Sequence, residues 1–199
     1  MPILGAVASG ISGHLWSPSQ DYVSISTATV TSGGTASITF SSIPSTYTHL
    51  QLRMFAQSNR TTYNLDEYLL NMDATTVQIS GTHDLRSNYS ASGAANSGYV
   101  GGAGSDYNLY NFGALGTSAG GHFAGAVIDI LDYASTNKYK TFRSLSGVDT
   151  NGSMSGYCGF VRLASGLWRS TAAINLIKIY PQYGTTFTQY SSFALYGVK

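Results

Sequence analysis

The sequence predicts an all-β fold: a two-sheet antiparallel sandwich, jelly-roll-like, with an apolar N-terminal arm. Three observations lead there. Apolar and polar residues alternate with period two along most of the chain, as on strands with one buried face. Gly/Asn/Ser clusters interrupt these segments at short intervals, spacing about ten strands as a sandwich does. No stretch sustains helical periodicity. Among sandwiches the jelly roll is the topology chosen, being a common double-Greek-key solution. A length of 199 residues suits one domain, and the chain divides into an arm at 1–16 and a single β-domain at 17–199.

The elements follow in order. The arm holds Pro2-Ile3-Leu4-Gly5-Ala6-Val7-Ala8 and runs to Trp16. It has no positive n-region before its apolar run, so it does not read as a signal peptide, and it is too short and glycine-broken to span a membrane. An exposed apolar arm is a liability on a free monomer, so it is expected to dock into a neighbour or back onto the domain, through Ile3, Leu4, Val7, Ile11, Leu15 and Trp16. Tyr22–Val30 and Thr35–Phe40 alternate, with Val23, Ile25, Thr27 and Thr29 sharing one face and Ala36, Ile38 and Phe40 another. Ser32-Gly33-Gly34 between them reads as a hairpin turn, because glycine tolerates positive φ. Thr48–Gln57 places Leu50, Leu52, Met54 and Ala56 opposite His49, Gln51, Arg53 and Phe55. Glu67–Met72 and Thr76–Ser80 are short strands around a turn at Asp73-Ala74.

Residues 87–121 differ. They are rich in glycine, carry one charge (Asp106), and are punctuated by Tyr99, Tyr107, Tyr110 and Phe112. This is a long loop or loop–strand–loop excursion, of a length that is usually functional or mobile, or a segment ordered only against a partner. Strands return at His122–Asp132, whose apolar middle (Ala124 to Leu131) suits a strand covered on both faces. Asp132 to Lys138 turns into Tyr139–Val148, where Phe142, Ser144 and Ser146 oppose Arg143, Leu145 and Gly147. Asp149-Thr150-Asn151-Gly152 is a turn. Met154–Leu163, Ala172–Tyr180 and Phe187–Val198 complete the set, with Pro181 and Gly184 between the last two.

Composition bounds the function. Only 10% of residues are charged, against about 25% in ordinary domains, while there are 15 tyrosines and 23 glycines. The formal net charge is +1, which supplies no field to steer a polyanion, so no nucleic-acid partner is expected. The loose cluster Lys138, Lys140 and Arg143 reads as a solvated strand face. The lone cysteine, Cys158, excludes an intrachain disulfide and reads as a buried small hydrophobe.

Catalytic chemistry is not evident. Gly116-Thr117-Ser118-Ala119-Gly120 matches a nucleophile-elbow pattern, but that mechanism needs a strand-to-helix turn, and this stretch is helix-free. His14, His49, His83 and His122 lack metal-ligand spacing. His83-Asp84 is explained by a turn. Asp129 and Asp132, three apart at a strand end, fall on opposite faces rather than forming a glycosidase pair. The sequons at Asn59, Asn88 and Asn151 are coincidental in an Asn/Ser/Thr-rich chain. No catalytic, cofactor or metal site is assigned. The tyrosines are the enriched feature with binding potential, since each ring offers rigid amphipathic area. Tyr89, Tyr99, Tyr107 and Tyr110, beside Asn88, Asn96, Asn108 and Asn111, are candidates for contact with a sister subunit or with a glycan.

Several stretches also carry a resemblance. They are Pro2–Gly5 with Ser12–Trp16, Phe40–Arg53, Val127–Ala134, Asn137–Thr141, Ser165–Trp168 with Thr171–Ile174, and the closing Gln189-Tyr190-Ser191-Ser192-Phe193-Ala194-Leu195-Tyr196-Gly197-Val198-Lys199. Together they resemble small virion structural proteins of tailed bacteriophages, across nearly the whole chain. The resemblance implies a non-enzymatic structural protein of the particle, tail-fibre-like or capsid-decorating, assembled in the host cytoplasm. Its implied partners are other virion proteins, further copies of itself (a trimer or other homo-oligomer) and a host-surface glycan. No catalytic residues come with it. A carbohydrate-binding module is the alternative from another class.

Overall fold

A computed structural model of the chain describes residues 21–63, 65–72, 83–90, 93–100, 114–149, 159–168 and 170–199. These residues form twelve strands and no helix. In chain order the strands are β1 (Tyr22–Thr29), β2 (Ile38–Phe40), β3 (His49–Ser58), β4 (Leu65–Asn71), β5 (His83–Ser90) and β6 (Gly93–Val100), then β7 (Ala114–Thr117), β8 (Ala124–Ile130), β9 (Lys140–Asp149), β10 (Gly159–Trp168), β11 (Ile177–Pro181) and β12 (Ser192–Val198). The arm at 1–16 lies outside the described residues, as does Cys158.

The strands pair in two runs. A long antiparallel run has the order β1-β12-β3-β8-β9-β10-β5-β6. A short run, β2-β11-β4-β7, is antiparallel within itself. The runs meet where β7 pairs parallel with the end of β3, Gln57 opposite Gly116 and Ser58 opposite Thr117. The sheet is therefore mixed, which corrects the all-antiparallel expectation. The parallel pair follows from the path of the chain: β7 is wedged between β3 and β4, and opposes β4.

Alternation does its work in the long run. Leu50, Leu52, Met54 and Ala56 of β3 are buried, as are Ala124, Ala126, Ile128 and Ile130 of β8 and Phe193 and Leu195 of β12. All of these except Ala124 join Ile38, Phe40, Tyr68, Leu70, Ile177 and Ile179 of the short run in one apolar cluster. Burying each Leu, Ile, Met or Phe among them is worth about 1.5–3 kcal/mol. β9 reads as expected, with Phe142, Ser144 and Ser146 inward and Arg143 and Leu145 outward.

Several expectations are corrected. Tyr22–Val30 and Thr35–Phe40 do not form a hairpin, since β1 pairs with β12 and β2 with β11. The turn exists: Gly33 and Gly34 take φ of 92° and 74°, and a Cβ on Gly34 would stand 2.7 Å from the Phe187 carbonyl oxygen. It hands the chain from one run to the other instead of folding it back. In β1 the register shifts between Ser24 and Ser26. That bulge flips the later side chains, so Ala28 packs on the core while Thr27 and Thr29 are exposed. β8 is covered on one face only, Gly125 and Val127 being exposed. Within 87–121, the chain forms β6 and β7 and the end of β5; β5 and β6 form a hairpin that extends the long run. The Thr76–Ser80 strand and the turn at 150–152 lie outside the described residues.

Candidate functional site

The outer face of the long run is built by the side chains that alternation turns away from the core. Three rows cross it. The middle row is Arg53, Val127, Leu145 and Leu163, paired strand to strand through β3, β8, β9 and β10. The next row is Phe55, Gly125, Gly147 and Val161. Exposure of the large apolar members is high: Leu145 56%, Val161 54%, Phe55 54%, Leu163 50% and Val127 39%. Phe123 stacks on Phe55 with centroids 5.1 Å apart. A ridge of branched side chains thus stands beside a trough floored by two glycines. Exposed single hydrophobes are ordinary, but a contiguous band marks an interaction surface.

The third row is polar and borders the band. Gln51 Nε2 donates to Asp129 Oδ1 at 2.8 Å, and Arg53 Nε donates to Gln51 Oε1 at 2.7 Å. Arg143 Nη2 lies 3.3 Å from Asp129 Oδ2, a half-exposed pair of small energetic worth. The Arg53 guanidinium stands 5.2 Å from the Tyr22 ring centre and 4.7 Å from that of Tyr196. Cation–π attraction fixes this border.

A second surface feature lies at the end of β3. Arg60 sits 4.5 Å from the ring centres of both Tyr63 and Tyr183, which are exposed. The Tyr183 loop is held from below by the buried Asp66 carboxylate, which accepts from Ser58 Oγ at 2.6 Å and from the Tyr183 and Gly184 amides at 3.1 and 2.8 Å. Asn59 ties the same loop through the amides of Thr185 and Thr186; this sequon residue is a loop clamp.

The buried polar groups are structural in their geometry. Arg162 of β10 pairs with Glu67 of β4 at 2.8 Å, and Tyr68 bonds Ser144 across the core. Lys140 is fully buried, correcting its expected place on a solvated face. Its Nζ donates to the carbonyls of Ser135, Lys138 and Ser170 at 2.5, 3.0 and 3.3 Å. Lys138 and Arg143 do remain exposed, pairing with Asp132 and Asp129.

The residues considered for catalysis are not brought together. Asp129 faces outward toward Gln51 and Arg143, whereas Asp132 sits in the following turn, where its amide donates to His49 Nδ1 at 3.0 Å. Ser118 lies in the turn after β7 with no helix following, and its hydroxyl donates to the Arg60 carbonyl. Among the described residues, no three His, Cys, Asp or Glu side chains gather as a metal site. No described helix is long and apolar enough to cross a membrane.

Of the predicted contact residues, Tyr89 and Tyr99 lie on the β5–β6 hairpin, Tyr89 opposite Ala94 and Tyr99 opposite Asp84. Tyr107 and Tyr110 lie outside the described residues, as do Ile3, Leu4, Val7, Ile11, Leu15 and Trp16 of the arm. The outer-face band was missed as a site. Its signal was present: β8 is apolar on both of its faces, and so is β10 over Val161–Leu163–Ala164. Comparison with protein-family models, with curated proteins and with solved structures gave no match.

Proposed function

We propose that this chain is a non-enzymatic structural protein of a bacteriophage virion, a tail or tail-fibre component that serves assembly and host adsorption. The observation that carries the reading is the outer face of the long run. A large β-surface exposes a contiguous apolar band, and the buried Asp66, Lys140 and the Arg162–Glu67 pair are engaged in holding the fold. Such a surface favours packing against protein rather than turnover of a substrate. The phage-like stretches named above, above all the closing Gln189–Lys199, give the surface its setting. In this reading the two runs are the layers of a jelly-roll-like sandwich, residues 1–16 anchor the domain to a neighbouring virion protein, and copies of the chain associate. Tyr63 and Tyr183, held around Arg60, are the described side chains best suited to stack on a host-surface glycan.

Cryo-electron microscopy of purified particles, with copy number from the reconstruction, tests the proposal. A few copies around the tail axis are the expected result. Density at icosahedral capsid positions makes the protein a head-stabilising decoration instead. Absence from the particle overturns the virion reading.

A further inference from the structure

We propose that the outer face of the long run is the interface of a two-fold homodimer, its occupant being the same face of a second copy. This deepens the proposed reading, which expects copies to associate, by naming the surface and the order. Three features of the face select a second copy. The first is shape. The ridge Val127–Leu145–Leu163 runs beside the trough at Gly125 and Gly147, and no heavy atom lies within 4 Å of where a Gly125 Cβ would stand. A two-fold rotation lays the ridge of one copy into the trough of the other, the self-complementarity that an isologous contact requires.

The second feature is charge. The band itself is uncharged beyond Arg53, and its border carries both signs in Asp129 and Arg143, so two copies meet without a uniform like-charge field. Depletion of charge at the centre with a polar rim is the anatomy of a protein interface. The third is size. Strands rise ~3.4 Å per residue and lie ~4.8 Å apart. The five neighbours β12, β3, β8, β9 and β10, of seven or ten residues each, therefore present a face roughly 24 Å wide and about 24–34 Å long. That is close to the ~800 Å² per partner of a standard stable interface. Packing sheet on sheet, ~10 Å apart, would also cover β8 on its second face, as its apolar middle anticipates.

The test is the solution mass of the full chain at micromolar concentration, by sedimentation velocity and light scattering. Twice the chain mass of 21.1 kDa is expected. Leu145→Lys should return the single-chain mass while leaving the circular dichroism spectrum unchanged, because Leu145 is outside the core, and should lower the thermal midpoint only by the lost stabilisation of association. Gly125→Val, which fills the trough with a strand-favouring side chain, should weaken the dimer by tenfold or more and guards against a misfolded lysine variant. A monomeric wild-type chain overturns the inference, as does a dimer whose mass survives both substitutions, or a trimer. Band residues covered by the chain's own N-terminal arm would appear as a monomer and so fall on the overturning side. The virion reading fails or stands separately: a protein present as single copies in the particle sinks only this inference, and a dimer absent from particles sinks only that reading.

Discussion

Lys140 shows how one side chain can hold an irregular segment. The turn after β8 leaves the carbonyls of Ser135 and Lys138 pointing inward, and the loop after β10 adds that of Ser170. One ammonium serves all three, with the Trp168 ring centre 5.5 Å away. Burial pulls the Lys140 pKa below the ordinary lysine range, and its donors are spent on these three carbonyl oxygens. Lys140→Met keeps the stem and removes the donors. The expected cost is about 2–3 kcal/mol, the upper range for leaving buried acceptors unsatisfied. Urea unfolding checks it: the midpoint should fall with the slope unchanged. The buried tyrosines set a pH limit. Burial raises the pKa of Tyr68, which lies in the core against Ser144, and that of Tyr133, which bonds the Pro44 carbonyl. A raised tyrosine keeps its proton in the fold after the unfolded chain has lost it. Its contribution is therefore intact below about pH 10 and declines as pH rises above that value. Lys140 acts in the opposite sense, since its folded form sheds a proton first and stability recovers as pH approaches ~10.4. Both tyrosines are fully buried, and the rise at Tyr68 is the large shift of the three. The thermal midpoint should fall above about pH 10, and Tyr68→Phe should flatten that decline; a decline of unchanged steepness would refute the assignment to Tyr68.

At the scale of elements, alternation reported faces well and partners poorly. β3 and β9 were legible residue by residue, because a strand with one buried face writes its orientation into every second position. β1 was legible until the Ser24–Ser26 bulge, where a single extra residue reversed the parity of everything after it. The supposed hairpin at 22–40 failed for a different reason. Ser32-Gly33-Gly34 encodes a turn, but a turn constrains only local backbone. Whether the flanking strands pair is decided by where their apolar faces find cover, and Val30 and Ile38 are buried in the same cluster from different runs. The parallel contact of β7 with β3 spans two residue pairs, too short to leave a pattern. Lys140 read as a surface residue because its charge says nothing of the carbonyls that gather around it from distant turns. Glycines misled in 87–121, where the chain includes β6, a strand of Gly, Ala, Asn and Ser up to Gly98 and then Tyr99 and Val100, whose pairing with β5 runs its whole length. The outer band was half-written. An apolar β8 signalled cover on both faces, and the described fold provides it on one; the second face is where an interface belongs.

For the whole molecule, the proposed reading separates folding from attachment, and the N-terminal segment is where the two can be cut apart. The β1 ladder opens with Tyr22 opposite Val198, and Lys199 donates its amide to the Asp21 carbonyl, so the first described residues are pinned to the end of the chain. The apolar positions Ile3, Leu4, Val7, Ile11, Leu15 and Trp16 precede this point. If they anchor the domain to a neighbouring virion protein, their burial there is worth about 25 cal/mol per Å² of apolar surface, and many copies acting together multiply a modest single contact. Deleting residues 2–16 should then leave β1 paired and the urea midpoint close to that of the full chain, while the truncated protein disappears from purified particles. Quantitative mass spectrometry of particles grown with the truncated and full-length proteins in competition reads this directly. Incorporation in proportion to supply would show that the anchor lies elsewhere, and loss of the folded domain itself would show that the arm belongs to the fold rather than to the attachment.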